Sequence, residues 1–216
     1  MALKASIIPV TAFQQNCSLI WCDDTLEAAV IDPGGDLELI EKAVEETGVS
    51  LKQILLTHGH IDHAGGTADL AEKYALPIIG PQKEETFWIA QLAQQAEMFN
   101  FTPSRDFEPT QWLEDGDKVK VGNVELKVVH CPGHTPGHVV FISENDRLAI
   151  VGDVLFKGSI GRTDFPKGNH QELLDSITKK LWPFGNDIVF IPGHGPVSTF
   201  GDERATNPFV ADHVIS

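Results

Sequence analysis

Along the chain, short runs rich in Val, Ile and Leu alternate with stretches whose apolar residues recur every three or four positions. These are the marks of buried strands and of amphipathic helices. Strands are predicted at 5–10, 17–22 and 27–32, with Asp23-Asp24-Thr25 as a hairpin turn between the last two. Asp32-Pro33-Gly34-Gly35 ends the third strand in a turn. Asp36 is expected to cap a helix burying Leu37, Ile40 and Val44. A strand over 53–56, a helix over 68–74 carrying Leu70 and a strand over 76–80 form a unit that favours parallel pairing, with helices laid on the sheet. Residues 84–98 read as one further helix whose Phe87, Ile89, Leu92 and Met98 face the core. The second half returns to strands at 119–121, 124–130, 139–142, 147–151 and 188–192, with a helix over 171–182 presenting Leu173, Leu174, Ile177 and Leu181. No linker, low-complexity tract or short repeat interrupts the pattern, so residues 1–216 are expected to form a single α/β domain.

The chemistry lies where the strands end. The strand over 53–56 runs into Thr57-His58-Gly59-His60-Ile61-Asp62-His63, three imidazoles and a carboxylate in one tight turn. Zinc and similar divalent ions prefer this ligand set. Gly59 lacks a Cβ and lets the backbone bend so that His58 and His60 face one cavity. The strand over 124–130 leads to His134 in the rigid loop Cys131-Pro132-Gly133-His134-Thr135-Pro136-Gly137-His138. Asp153 follows the strand over 147–151, and His194 follows the strand over 188–192. Four strand ends bearing such residues make one metal centre the simplest joint reading. The turn Asp32-Pro33-Gly34-Gly35 is expected to buttress that centre without taking part in its chemistry. His138 is read as a support for the centre, because its spacing from His134 falls in a Pro/Gly loop where helical periodicity has no meaning.

Composition narrows the rest. A formal charge of −15 disfavours nucleic acid as a partner, since such binding needs clustered Lys and Arg. No stretch approaches a membrane-spanning length, and the N-terminus shows no basic segment followed by an apolar one, so no membrane association and a cytoplasmic location are expected. Cys17, Cys22 and Cys131 cannot build a disulfide framework. Asn16-Cys17-Ser18 matches a glycosylation acceptor and is read as a chance match. Arg162 and Lys157 lie beyond Asp153 and are expected to attract an anionic substrate into an acidic protein.

Taken together, His58-x-His60-x-Asp62-His63, His134, Asp153 and His194 resemble the metallo-β-lactamase superfamily of metallohydrolases over nearly the whole chain. The resemblance implies a four-layered αβ/βα sandwich, with two sheets inside, helices outside and the site along one edge. It also implies two divalent ions, zinc foremost and iron or manganese as alternatives. His58, His60 and His134 would hold the first ion and Asp62, His63 and His194 the second, with Asp153 bridging them.

Within the superfamily, residues 57–63 and 132–138 and Gly152-Asp153-Val154-Leu155-Phe156 are most similar to glyoxalase II, the hydroxyacylglutathione hydrolases. That likeness implies hydrolysis of an anionic thioester such as S-lactoylglutathione by a metal-bridged hydroxide, with Asp62 orienting the hydroxide and thus catalytic as well as a ligand. Members with a full glutathione site carry a basic helical extension after the last histidine. Here only 22 residues follow His194, so a short form is expected. Gly161-Arg162-Thr163-Asp164-Phe165 also resembles the persulfide dioxygenases of the superfamily, which use one iron; a mononuclear iron oxidoreductase is therefore the alternative. A lactonase, a nuclease and a non-catalytic binding module remain as further readings.

Overall fold

In the computed structural model, which describes residues 1–215, the strands gather into two main sheets. The first runs in chain order through β1 (Leu3–Val10), β2 (Gln15–Cys22), β3 (Glu27–Ile31), β4 (Ser50–Leu55) and β5 (Ile78–Ile79). Pairing is antiparallel from β1 to β3 and parallel from β3 to β5. The change falls where α1 (Leu37–Thr47) supplies the crossover that a parallel neighbour requires.

The second sheet begins as an antiparallel meander of β6 (Lys118–Val121), β7 (Val124–His130), β8 (Val139–Ser143) and β9 (Leu148–Gly152). A small separate hairpin follows, β10 (Leu155–Phe156) with β11 (Ser159–Ile160). The chain then returns as β12 (Val189–Pro192), parallel to β9, and β13 (Ser198–Thr199) closes the edge.

Side-chain alternation turns these sheets into four layers. Successive strand residues point to opposite faces. In β2, Leu19 packs with Ile40 of α1 and with Leu70, whereas its neighbour Ile20 packs with Leu126, Phe141 and Ile150 of the second sheet. On the far side, Val140, Ala149 and Phe190 pack against Leu173, Ile177 and Leu181. Helix, sheet, sheet and helix are thus joined by three apolar seams, the αβ/βα sandwich expected from the resemblance.

Three helical expectations change. Asp36 precedes α1, but its carboxylate accepts the Thr11 N–H at 2.7 Å and makes no side-chain cap. The stretch 84–98 is not one helix: after α2 (Ile61–Ala64) and α3 (Thr67–Tyr74) come a 3₁₀ turn at Lys83–Glu85, α4 (Thr86–Ile89) and α5 (Leu92–Phe99). The chain breaks at Ala90 and Gln91, where the Gln91 N–H turns back to the Trp88 carbonyl at 3.0 Å and the Gln95 side-chain amide donates to the same carbonyl at 2.9 Å. Turned by that break, Met98 is 68% exposed instead of core-facing.

The helix over 171–182 starts as α6 (His170–Asp175), capped by Asn169, then widens into a π-helical turn at Ser176–Leu181 and closes as 3₁₀ at Trp182–Phe184. At the widening, Ser176 donates to the Pro132 carbonyl at 2.8 Å and ties this helix to the loop bearing His134. Among the described residues, no helix is long and apolar enough to cross a membrane.

Candidate metal centre

The strand ends do meet. β4 delivers His58 and His60 through the turn at Gly59, and the short α2 carries Asp62 and His63; β7, β9 and β12 lead to His134, Asp153 and His194. Donor atoms of His58, His60 and His134 lie within 4.8 Å of one another, as do those of Asp62, His63 and His194. Asp153 stands between the two groups. Its Oδ1 lies 3.3 Å from His63 Nε2, and its Oδ2 lies 3.6 Å from His134 Nε2.

These groups suit cations better than they suit one another. His60 Nδ1 lies 3.1 Å from both His58 Nε2 and His134 Nε2, three buried ring nitrogens converging where one proton cannot serve all contacts. Tetrahedral donors around an ion with bonds of ~2.1 Å stand about 3.4 Å apart, close to the observed spacing. Burial, together with the neighbouring imidazoles, holds His58 and His60 well below the usual histidine range, which leaves them as neutral donors.

The second group is more ionic. Burial opposes charge on His63, but Asp153, Asp62 and Asp32 outweigh it and raise its pKa well above the usual range. Burial likewise opposes charge on Asp62 and Asp153, yet His63 and its neighbours hold both carboxyls low. Nε2 of His63 and Oδ1 of Asp153 are both buried without a hydrogen-bond partner. Divalent ions would satisfy these orphaned donors, and the residues present fit them.

Supporting contacts fix the donors. Asp32, in the expected buttress, accepts the Thr57 N–H at 2.8 Å with Oδ1; Oδ2 accepts the Thr57 hydroxyl at 2.6 Å and His63 Nδ1–H at 2.9 Å. Both oxygens are engaged, so Asp32 orients His63 rather than serving as a ligand itself. The turn lies so close to α2 that a Cβ on Gly34 would stand 1.6 Å from the Asp62 carbonyl oxygen. His138 Nε2 accepts the Asp153 N–H at 3.1 Å while its ring stacks on His58, a supporting position. His134 Nδ1 donates to the Arg162 carbonyl at 2.7 Å, which directs Nε2 inward.

Three supports escaped the sequence reading. Glu85, fully buried, accepts the N–H groups of Gly59 and Gly137. Gln95 Oε1 accepts the Ile61 N–H at the start of α2. Asn16, in the chance acceptor motif, donates its side-chain amide to the carbonyls of Pro192 at 3.0 Å and Gly195 at 2.8 Å, bracketing His194.

The centre opens into a cleft of about 760 Å³ lined by Phe13, Trp88, Met98, Phe99, Phe156 and Phe165, among others. Arg162 lines it too, but its guanidinium binds Asp164 through two hydrogen bonds of 2.8 and 2.7 Å. Lys157 instead borders a shallower recess beside His194 and Pro196.

Fold and site together define a metallohydrolase: residues 10–194 match the metallo-beta-lactamase superfamily, and the chain belongs to it. It is 45% identical to the hydroxyacylglutathione hydrolase GloC of Haemophilus influenzae over 96% of this chain and 98% of that protein. Among solved structures it resembles the BLEG-1 B3 metallo-beta-lactamase (TM-score 0.86, 33% identity, 96% and 99% coverage). It equally resembles TTHA1623 in a di-iron-bound form (TM-score 0.86, 32% identity, 95% and 100% coverage).

Proposed function

We propose that the protein is a dinuclear metal-dependent hydrolase of glyoxalase II type, acting on anionic thioesters such as S-lactoylglutathione. The observation that carries this reading is the placement of Asp153 between two complete donor groups. The full-length likeness to GloC supports the thioester class, and the di-iron form of TTHA1623 supports two ions. His58, His60 and His134 would hold one ion and Asp62, His63 and His194 the other, zinc foremost and iron or manganese as alternatives.

Such ions supply Lewis acidity toward the carbonyl and a hydroxide at neutral pH. The chain supplies positioning. Asp62 Oδ2 lies 3.0 Å from His194 Nε2, placed to hold the second ion, and its other oxygen would orient the attacking water while Asp32 keeps His63 in one tautomer. A thiolate leaving group, with a pKa near ~8.5, needs little proton donation, which suits a cleft whose ionisable groups are engaged as donors or paired. Free, buried cysteines suit a reducing, cytoplasmic setting, and the acidic charge suits a small-molecule partner rather than nucleic acid.

The test is S-lactoylglutathione turnover alongside elemental analysis, with Asp62→Asn and His58→Ala as variants. About two ions per chain, and turnover lost in both variants, are expected. Turnover surviving either substitution in pure protein sinks the dinuclear mechanism. One iron per chain with oxygen uptake on glutathione persulfide would instead assign the protein to the dioxygenases.

A further inference from the structure

Aromatic rings stand at both ends of the donor cluster. The Trp88 ring lies 4.5 Å from His60 and the Phe165 ring 5.1 Å from it, and the two rings touch edge to face at 6.1 Å, forming one continuous wall. Phe165 also reaches His134 at 6.2 Å and is backed by the Arg162 guanidinium, 4.2 Å from its ring centre and locked by Asp164. At the other end, Phe156 flanks His194 at 6.3 Å. Phe13, Met98 and Phe99 form a lip that leaves them 45%, 68% and 40% exposed.

A lactoyl group offers one methyl to this surface. That methyl alone cannot cover both Trp88 and Phe165, and a large apolar patch beside a reactive centre marks a binding surface. Arg162 is the one Lys or Arg lining the cleft among the described residues, and it is already paired. Selectivity must therefore come from apolar contact more than from charge.

Resting on the thioester reading, we infer that the cleft selects thioesters bearing an aromatic acyl group, seated against Trp88 and Phe165, over those bearing the short lactoyl group. Replacing methyl by phenyl buries an apolar surface large enough for about a tenfold gain in kcat/KM.

The experiment compares S-mandeloylglutathione with S-lactoylglutathione on ion-loaded protein. In parallel, the uncleavable S-benzylglutathione and S-methylglutathione are titrated for affinity. Both ratios are expected near tenfold in favour of the aromatic group, falling toward one in Phe165→Ala and in Trp88→Ala. Because each ratio is taken within one sample, partial misfolding of a variant cancels. Ratios near one in the unaltered protein, or ratios that ignore both substitutions, overturn the inference and leave the hydrolase reading standing. A tenfold affinity ratio with neither thioester cleaved upholds the aromatic selectivity and overturns the hydrolase reading.

Discussion

Glu85 Oε2 accepts the Gly59 N–H at 2.8 Å, and Oε1 accepts the Gly137 N–H at 2.8 Å. One buried carboxylate thus pins the turn between His58 and His60 to the loop between His134 and His138. Trp88 packs on the same turn, where a Cβ on Gly59 would approach the Trp88 Cβ to 2.9 Å. Removing the carboxylate in Glu85→Leu unpairs two buried N–H groups, at roughly 1–3 kcal/mol each. Denaturant unfolding should report that loss, and chelator competition should show ion binding weakened about tenfold or more. Unchanged ion affinity would refute the clamp.

The same carboxyl makes stability depend on pH. Burial pushes it from 4.5 up to about 7, against the hydrogen bonds that favour its charged form. A raised folded-state pKa means that the folded protein holds the proton more tightly than the unfolded chain does. Its contribution is therefore full below pH ~4.5 and lost as pH rises through about 7, a difference of about 3 kcal/mol. Unfolding of metal-free protein, measured from pH 4.5 to 8 and compared with Glu85→Gln, should show this extra decline only with Glu85 present. Parallel pH curves would rule it out.

Asn16, at the start of β2 in the first sheet, holds the loop of His194 that follows β12 of the second. Its backbone N–H donates to the Gly193 carbonyl at 2.7 Å, and its amide brackets the histidine through Pro192 and Gly195. Asn16→Ala should weaken the ion held by Asp62, His63 and His194 more than the other. Elemental analysis after mild chelation is expected to fall toward one ion per chain; two retained ions would contradict it.

Asp32 reaches the same group through His63. In Asp32→Asn the amide can still accept from Thr57, but the charge that steadies His63 is gone. Ion affinity should drop about 10- to 100-fold with the fold intact, read by competition with a coloured chelator alongside circular dichroism.

The donors come from both sheets, so ion binding and folding are linked. Chelation should lower Tm, and free ion at 100 times its Kd should restore about 2.7 kcal/mol. A Tm insensitive to chelator would place the ions outside this cluster.

Much of this architecture was legible because it is local in the chain. Strand ends followed by His or Asp could be read directly, and alternation in β6 and β7 marks their faces. What sequence reading missed acts at a distance. Glu85 lies 26 residues from Gly59, and Asn16 lies 179 from Gly195, so neither has a neighbour that betrays its role. The break in 84–98 was hidden because no Gly or Pro marks it; a Gln seven residues on, whose amide joins the Gln91 N–H on the Trp88 carbonyl, holds the turn instead. The widening at Ser176–Leu181 keeps the apolar spacing of an ordinary helix to within a residue, so periodicity alone does not expose it.

Cys17, Cys22 and Cys131 are each fully buried, and burial raises the thiols of Cys17 and Cys131 above the ordinary range. On the thioester reading, each turnover would set free a thiol whose disulfide, once an oxidant had formed it, could exchange with any sulfur the protein exposed. Disulfide exchange requires an accessible sulfur, and this chain presents none among the described residues. Burial of all three sulfurs thereby shields the protein from mixed-disulfide formation with oxidised, disulfide-form thiols, and its working life would not follow the redox state of the surrounding thiol pool.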